Sequence, residues 1–195
     1  MVKAALVVPY AVWMALMAVL PNTAGAYAVR TAATAVALLA GLIVLNRSFR
    51  NSPNLSSVSN LFLPFLVGLG VCAVWVAPEA LLGFSAPIPT AESPFSPQNC
   101  GWPLTVVRLA GSAFVIAVAE ELFFRKWLME WAGFGWMVAL FAVEHGDRWL
   151  VGALAGIAYG LVMRRFGLRA TVVAHMTTNL ALGLWVVFGE QWGYW

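Results

Sequence analysis

The sequence predicts an all-α membrane protein, a polytopic bundle of about seven transmembrane helices that forms a single integral-membrane domain over residues 1–195. Hydrophobic residues make up 62% of the chain and charged residues only 10%, with a mean hydropathy of +0.85. A soluble domain carries about 25% charged residues, so this chain has too few to cover a water-facing surface. Helices are predicted because lipid offers no hydrogen-bond partners to the backbone.

Seven apolar stretches follow one another along the chain. About 20 apolar residues are needed to cross a hydrocarbon core of about 30 Å, and most of the stretches approach that length. The predicted spans are residues 4–20, 28–46, 60–78, 103–127, 133–146, 149–163 and 169–188. The fifth and sixth are short, so we expect them to be tilted or sunken within the bundle.

The first stretch and two connecting segments need separate interpretation. Residues 4–20 follow Lys3 and precede small residues at 24–28, an order that also occurs in cleaved secretory signals. Their length is that of a span rather than a signal, so we expect a retained helix. Residues 47–53 are expected to form a polar loop, and residues 78–103, which contain no Lys or Arg, a longer extramembrane loop.

The basic residues predict the orientation of the chain. With a cytoplasmic N-terminus, only Arg30, Arg108 and Arg148 of the eleven Lys and Arg residues fall outside, which is the bias that the positive-inside rule describes. The C-terminus would then lie outside. The basic residues that fall inside are Lys3, Arg47, Arg50, Arg125, Lys126, Arg164, Arg165 and Arg169.

The charge and the cysteine content argue against nucleic-acid binding and against a cysteine-type metal site. The net charge of +3 comes from basic residues scattered between apolar stretches, so it does not indicate nucleic-acid binding. Cys72 lies within an apolar stretch and Cys100 in a loop, which disfavours a disulfide and excludes a cysteine-type metal site. The candidates for function are instead the ionisable residues within apolar stretches, because such groups are costly in hydrocarbon and usually face a bundle interior.

The first candidate group is Glu120-Glu121-x-x-x-Arg125. On a helix, Glu121 and Arg125 are four residues apart and share a face, so the arginine can hold that carboxylate ionised. Glu120 points about 100° away and is free to act as a general base. The alternative interpretation is a charged flank where the span ends near Lys126.

The second group is Phe141-x-x-x-His145, with Glu144 directly before the histidine and Asp147 just after it. These acids indicate a helix end near a polar cavity, where His145 and Glu120 could polarise one water molecule. The alternative is a structural histidine with satisfied hydrogen bonds. His145 lies far along a short span, so that segment must tilt to reach the depth of the other groups.

The third group is His175-x-x-x-Asn179, two side chains one turn apart on the same helix face. Both can donate hydrogen bonds to a developing oxyanion, although a polar contact between helices is an equally simple interpretation. Glu120 lies six residues before Lys126, and His175 six residues after Arg169. Each is therefore about 9 Å from a basic flank, which predicts that the two groups meet.

In this order, the motifs EExxxR, FxxxH and HxxxN resemble those of the CPBP family of intramembrane proteases. That family includes the type II CAAX prenyl endopeptidases and bacteriocin-processing or immunity proteins. The resemblance covers residues 103–195. From Trp149 onward the chain is also similar to a bacterial CAAX-protease-related subgroup found with exosortase-type sorting systems, and this implies a bacterial inner (plasma) membrane.

The resemblance implies a glutamic endopeptidase that activates water without a covalent intermediate, an obligatory metal or another cofactor. Its substrate would be a membrane-anchored protein or peptide in the lipid bilayer. Glu120 would be the base, His145 would share the water, and His175 and Asn179 would stabilise the oxyanion. Glu144 is a departure, because small or apolar residues are commoner there. The implied catalytic residues are Glu120, Glu121, His145, His175 and Asn179, and the supporting ones are Arg125, Phe141 and Glu144.

Two other functions are open on the sequence. A zinc protease could use Glu120, Glu121 and the two histidines, although the chain has no HExxH motif. A non-catalytic scaffold or immunity-type protein, or a proton-coupled carrier, could use the same residues to relay protons. The short chain without an inverted repeat disfavours a carrier.

Overall fold

The computed structural model describes the backbone of residues 1–50, 59–82 and 91–195, and the side chains of residues 1–45, 61–78 and 91–195. This part of the chain is a helical bundle, and six of its helices are long and apolar enough to cross a membrane. The predicted polytopic all-α fold is therefore confirmed. The helices are α1 Val2–Val19, α2 Ala24–Arg50, α3 Ser59–Leu82, α4 Pro97–Ala132, α5 Phe134–Glu144, α6 Trp149–Phe166 and α7 Leu168–Gly189.

The predicted loops are shorter than expected where the structure describes them. Helix α2 continues to Arg50, so the first half of the expected polar loop is helical, and residues 51–58 lie outside the described part. The side chains of Arg47 and Arg50, which entered the orientation argument, also lie outside it. In the longer loop, α3 continues to Leu82 and α4 begins at Pro97, while residues 83–90 are not described.

Helix α5 differs most from the predicted spans. It has 11 residues, about 16 Å at 1.5 Å per residue, which is about half of the hydrocarbon thickness. It still carries the chain to the end of the bundle where α7 finishes, since Arg148 Nη2, just beyond α5, donates to the Gly193 carbonyl 3.3 Å away. The other stretch expected to be short, α6, runs for 18 residues.

A glycine ladder on α6 brings α5 close. Gly152, Gly156 and Gly160 repeat every four residues and present one smooth face, the small-residue pattern of tightly packed membrane helices. A Cβ atom at Gly152 would lie 3.0 Å from His145 Cβ, and one at Gly156 would lie 3.3 Å from the Phe141 ring. The glycines therefore leave the space that those two motif side chains occupy.

Helix α4 contains two stretches of widened, π-helical turn, Gly111–Ile116 and Glu121–Leu128, on either side of the α-helical turn Ala117–Glu120. Such turns shift the side chains that follow them and are frequent at functional sites. The paired glutamates lie at the junction between the α-helical turn and the second π stretch. The sequence predicted a helix over residues 103–127, and the structure adds this irregularity to it.

Candidate active site

All three predicted motifs contribute to one cavity inside the bundle. The cavity has a volume of about 70 Å³, which is room for a few water molecules. Helices α3 to α7, together with the turn after α5, form its wall. Its lining residues are Trp75, Glu120, Phe141, His145, Ala155, Tyr159, His175, Thr178, Asn179 and Leu182.

The two glutamates have different surroundings. Glu121 and Arg125 are both fully buried, and Arg125 Nη1 lies 3.2 Å from Glu121 Oε1, so the predicted ion pair is present. The same oxygen lies 2.7 Å from Nδ1 of His175. Glu120 lines the cavity, with Oε2 3.6 Å from Nε2 of His175. One histidine ring thus stands between a carboxylate that is held by two partners and a carboxylate that faces the cavity.

Phe141 and Tyr159 cover the buried guanidinium. Arg125 Cζ lies 3.9 Å from the centre of the Phe141 ring and 5.2 Å from that of Tyr159. The three nitrogens of Arg125 make no aligned hydrogen bond, so the close contact with Glu121 is an ion pair rather than a bidentate hydrogen bond. Cation–π attraction is strongest at such dry sites, and it gives the phenylalanine of the second motif a physical role.

His145 has one ring nitrogen committed to the backbone. Its Nδ1 lies 2.6 Å from the Phe141 carbonyl oxygen. A carbonyl only accepts, so Nδ1 carries the proton and donates, and Nε2 of the neutral ring remains an acceptor. Trp75 contacts the ring edge-on at 5.0 Å. His145 therefore lines the cavity with a free ring nitrogen, as a side chain that holds water requires.

Asn179 links α7 to the first π stretch of α4. Its Nδ2 donates to the Ser112 carbonyl at 2.9 Å, and that carbonyl also accepts the backbone N–H of Ala117. The interhelical contact that the sequence left as an alternative is therefore present. An amide nitrogen has two N–H groups, so the second one remains for the cavity that Asn179 lines.

Two further cavity residues were missed from the sequence. Tyr159 stacks on the His175 ring with centroids 4.7 Å apart and an angle of 22°. Its hydroxyl donates to Thr178 Oγ1 at 2.6 Å, and Thr178 donates to the Gly68 carbonyl at 2.8 Å. These two hydrogen bonds hold the Tyr159 ring in place, and its stacking fixes the plane of the His175 ring. The sequence carried only a weak indication, a tyrosine within the glycine-rich face of α6.

The acids beside His145 have different positions. Glu144 is half-buried near Tyr10 of α1, and its Oε2 is buried without a hydrogen bond. Asp147, in the short 3-10 turn after His145, is exposed and does not line the cavity. Within the described part of the chain, no group of three or more His, Cys, Asp or Glu side chains is placed to hold a metal ion.

Fold and site together define a class, a polytopic membrane protein with a Glu–Arg pair, two histidines and an asparagine around a small buried cavity. Residues 102–181 match the model of the Rce1-like family, type II CAAX prenyl endopeptidases. This match confirms the resemblance to the CPBP family and contains all three motifs. With six membrane-length helices, it indicates an integral-membrane endopeptidase. Searches among curated proteins and among solved structures gave no match. The narrower likeness to the exosortase-associated subgroup stays a prediction.

Proposed function

We propose that the protein is an intramembrane glutamic endopeptidase that cleaves a peptide bond near the C-terminus of a membrane-anchored protein. The observation that carries this proposal is the separation of the two carboxylates. Glu121 is held by Arg125 and His175, whereas Glu120 and His145 line the same small cavity. One glutamate is thus held by two partners and the other faces the cavity, which supports a role for Glu120 as the proton acceptor.

In the proposed reaction, a water molecule lies between Glu120 and Nε2 of His145. Glu120 takes a proton from the water while the water oxygen bonds to the carbonyl carbon of the scissile peptide. The C–N bond then breaks, and Glu120 returns the proton to the leaving amine. The products are a new carboxyl terminus and a released C-terminal fragment, and no bond to the enzyme forms.

The oxyanion of the tetrahedral intermediate would be stabilised by His175 and Asn179. Asn179 has one N–H to offer, because Ser112 occupies the other. In its neutral form His175 uses its Nδ1–H on Glu121, so it donates through Nε2 only when that nitrogen is protonated as well. The Glu121 carboxylate orients the ring through this hydrogen bond, as the aspartate of a catalytic triad does. Removing one oxyanion donor typically costs about 10²–10³ in kcat.

We further propose that the enzyme lies in a bacterial inner membrane with its N-terminus in the cytoplasm. The distribution of basic residues supports this orientation. The short α5 does not reverse the orientation of the helices that follow it. The contact between Arg148 and Gly193 shows that α6 starts at the end of the bundle where α7 finishes.

The proposal is tested by incubating the purified protein in lipid vesicles with a panel of tail-anchored substrates and identifying the products by mass spectrometry. Cleavage near the substrate C-terminus by wild type, and none by Glu120→Gln, is expected. The matched control is Glu130→Gln, an exposed glutamate on the same helix that pairs with Lys126. If no substrate is cut and Glu120→Gln keeps the cellular phenotype, the protein is a scaffold and the proposal is wrong.

A further inference from the structure

Two arginines, Arg30 and Arg108, lie where α2 packs against α4, away from the cavity. Arg30 is only 4% exposed, and Arg108 is half-buried. Both contact the ring of Tyr27, with guanidinium carbons 5.7 Å and 4.2 Å from its centre. Two like charges therefore share one aromatic ring at the edge of a membrane bundle, an arrangement that is costly without a compensating anion.

Neither arginine has an acidic partner among the described side chains. The Nε atoms of both are buried without a hydrogen bond, and so are the hydroxyls of Tyr27, Thr31 and Thr34. Tyr27, Arg30, Thr31 and Thr34 have the spacing i, i+3, i+4 and i+7, so they line one face of α2. The face is rich in hydrogen-bond donors and carries no carboxylate.

Aromatic contacts satisfy only part of each guanidinium. Arg108 is also 4.8 Å from the Phe95 ring and 5.5 Å from that of Trp195, and Arg30 is 5.4 Å from that of Trp13. Rings stabilise the flat face of the cation, whereas its in-plane N–H groups need oxygen acceptors. A ligand with several anionic oxygens matches two guanidiniums surrounded by hydroxyls.

We propose that Arg30 and Arg108 form a binding site for the phosphate of an anionic phospholipid. Arg30 lies six residues into α2, about 9 Å from its start, and helical side chains tilt toward the N-terminus. Its guanidinium is thus near the end of the span, at the level of lipid headgroups. Val29, next to Arg30, is 56% exposed, and Val106, two residues before Arg108, is 52% exposed, so both arginines lie close to the lipid-facing surface.

A peptide carboxylate fits this position less well. Arg108 precedes Glu120 by twelve residues on α4, which is about 18 Å along a helix. Three residues of extended peptide span at most about 11 Å. A short C-terminal tail whose scissile bond lies at Glu120 would therefore end before it reached the arginines. The lipid site is independent of the proposed proteolytic function.

The site is tested on the full-length protein in a neutral detergent by native mass spectrometry and by lipid titration of the thermal unfolding temperature. We expect wild type to retain a phosphatidylglycerol molecule and to be stabilised by that lipid more than by phosphatidylcholine or inorganic phosphate. Arg30→Gln and Arg108→Gln should each weaken phosphatidylglycerol binding about tenfold or more, the loss of one charge-assisted hydrogen bond. Arg164→Gln is the matched control, since Arg164 lies over the Phe134 ring in a similar cation–π contact elsewhere.

Three results would overturn the proposal. Equal phosphatidylglycerol affinity in wild type and both variants would mean that the arginines do not bind it. Equal stabilisation by inorganic phosphate would indicate a site for free anions. Displacement of the lipid by a peptide with a free C-terminal carboxylate, but not by its amide, would indicate a peptide site.

A further measurement on wild type alone keeps the test valid if the variants fold poorly. A phosphatidylglycerol analogue with a photoreactive headgroup should label peptides that contain residues 27–34 and 102–111. Labelling confined to other helices would contradict the site.

Discussion

Three glutamates on α4 allow one substitution, Glu to Gln, to be compared in three environments. Glu121 is fully buried between Arg125, at 3.2 Å, and His175 Nδ1, at 2.7 Å. In Glu121→Gln the new amide oxygen can still accept from His175, but Arg125 loses its only described carboxylate partner. Breaking a buried ion pair from one side costs about 3–5 kcal/mol, so this variant should unfold at a clearly lower temperature and express poorly.

The other two positions should behave differently. Glu120→Gln keeps the shape of a side chain that faces the cavity, so we expect near-normal stability and loss of turnover. Glu130→Gln removes a surface pair with Lys126, in which Glu130 is 54% exposed, and should change stability by no more than about 1 kcal/mol.

The assay is thermal unfolding and single-turnover cleavage on each of these three purified variants. The reasoning is refuted if Glu120→Gln and Glu121→Gln show the same stability and the same residual activity. That result would mean that the two carboxylates have interchangeable roles.

Four further predictions follow from the same geometry. Asn179→Ala should lower kcat about 10²–10³-fold with little change in KM. A lower melting temperature with normal single-turnover cleavage would instead mean that Asn179 acts only as a hydrogen-bond partner of Ser112. Gly152→Ala should lower kcat about tenfold, because the new methyl lies 3.0 Å from His145 Cβ and displaces the ring. The control is Gly135→Ala, where the new methyl lies in open space. Equal activity of the two variants would contradict the predicted displacement of His145. Chelators should leave activity intact, and elemental analysis that finds one zinc per active chain, lost together with activity, would favour a metalloprotease. Reporter fusions at residue 50 and at the C-terminus should report opposite sides of the membrane, and the same side for both would mean that the orientation or the span count is wrong.

The sequence was informative where a relation depends on a single helix. Glu121 and Arg125 are four residues apart, and helix geometry alone predicted the ion pair that the structure contains. The apolar stretches predicted the membrane bundle for the same reason, since length and composition are local properties. Helix α5 shows the limit of that argument, because an apolar stretch ended by Gly133 and His145 gives only 11 helical residues.

Relations between helices could not be predicted, because they depend on rotation and depth. The stack of Tyr159 on His175 and the bond from Asn179 to Ser112 both join residues far apart in sequence. The π stretches of α4 have no recognised sequence pattern, yet they set the direction in which Glu120 points. His145 reaches the cavity because Gly152 leaves space for it, a fit that only the packed structure reveals. The catalytic roles of these residues stay predictions.

The central claim is that Glu120 activates the attacking water, and single-turnover cleavage by Glu120→Gln tests it most directly. The variant should bind a membrane-anchored substrate with the affinity of wild type, measured in the same vesicles, and cleave it at least about 10²-fold more slowly, while Glu130→Gln cleaves at the wild-type rate. Cleavage by Glu120→Gln at the wild-type rate, with equal substrate affinity, would contradict the account.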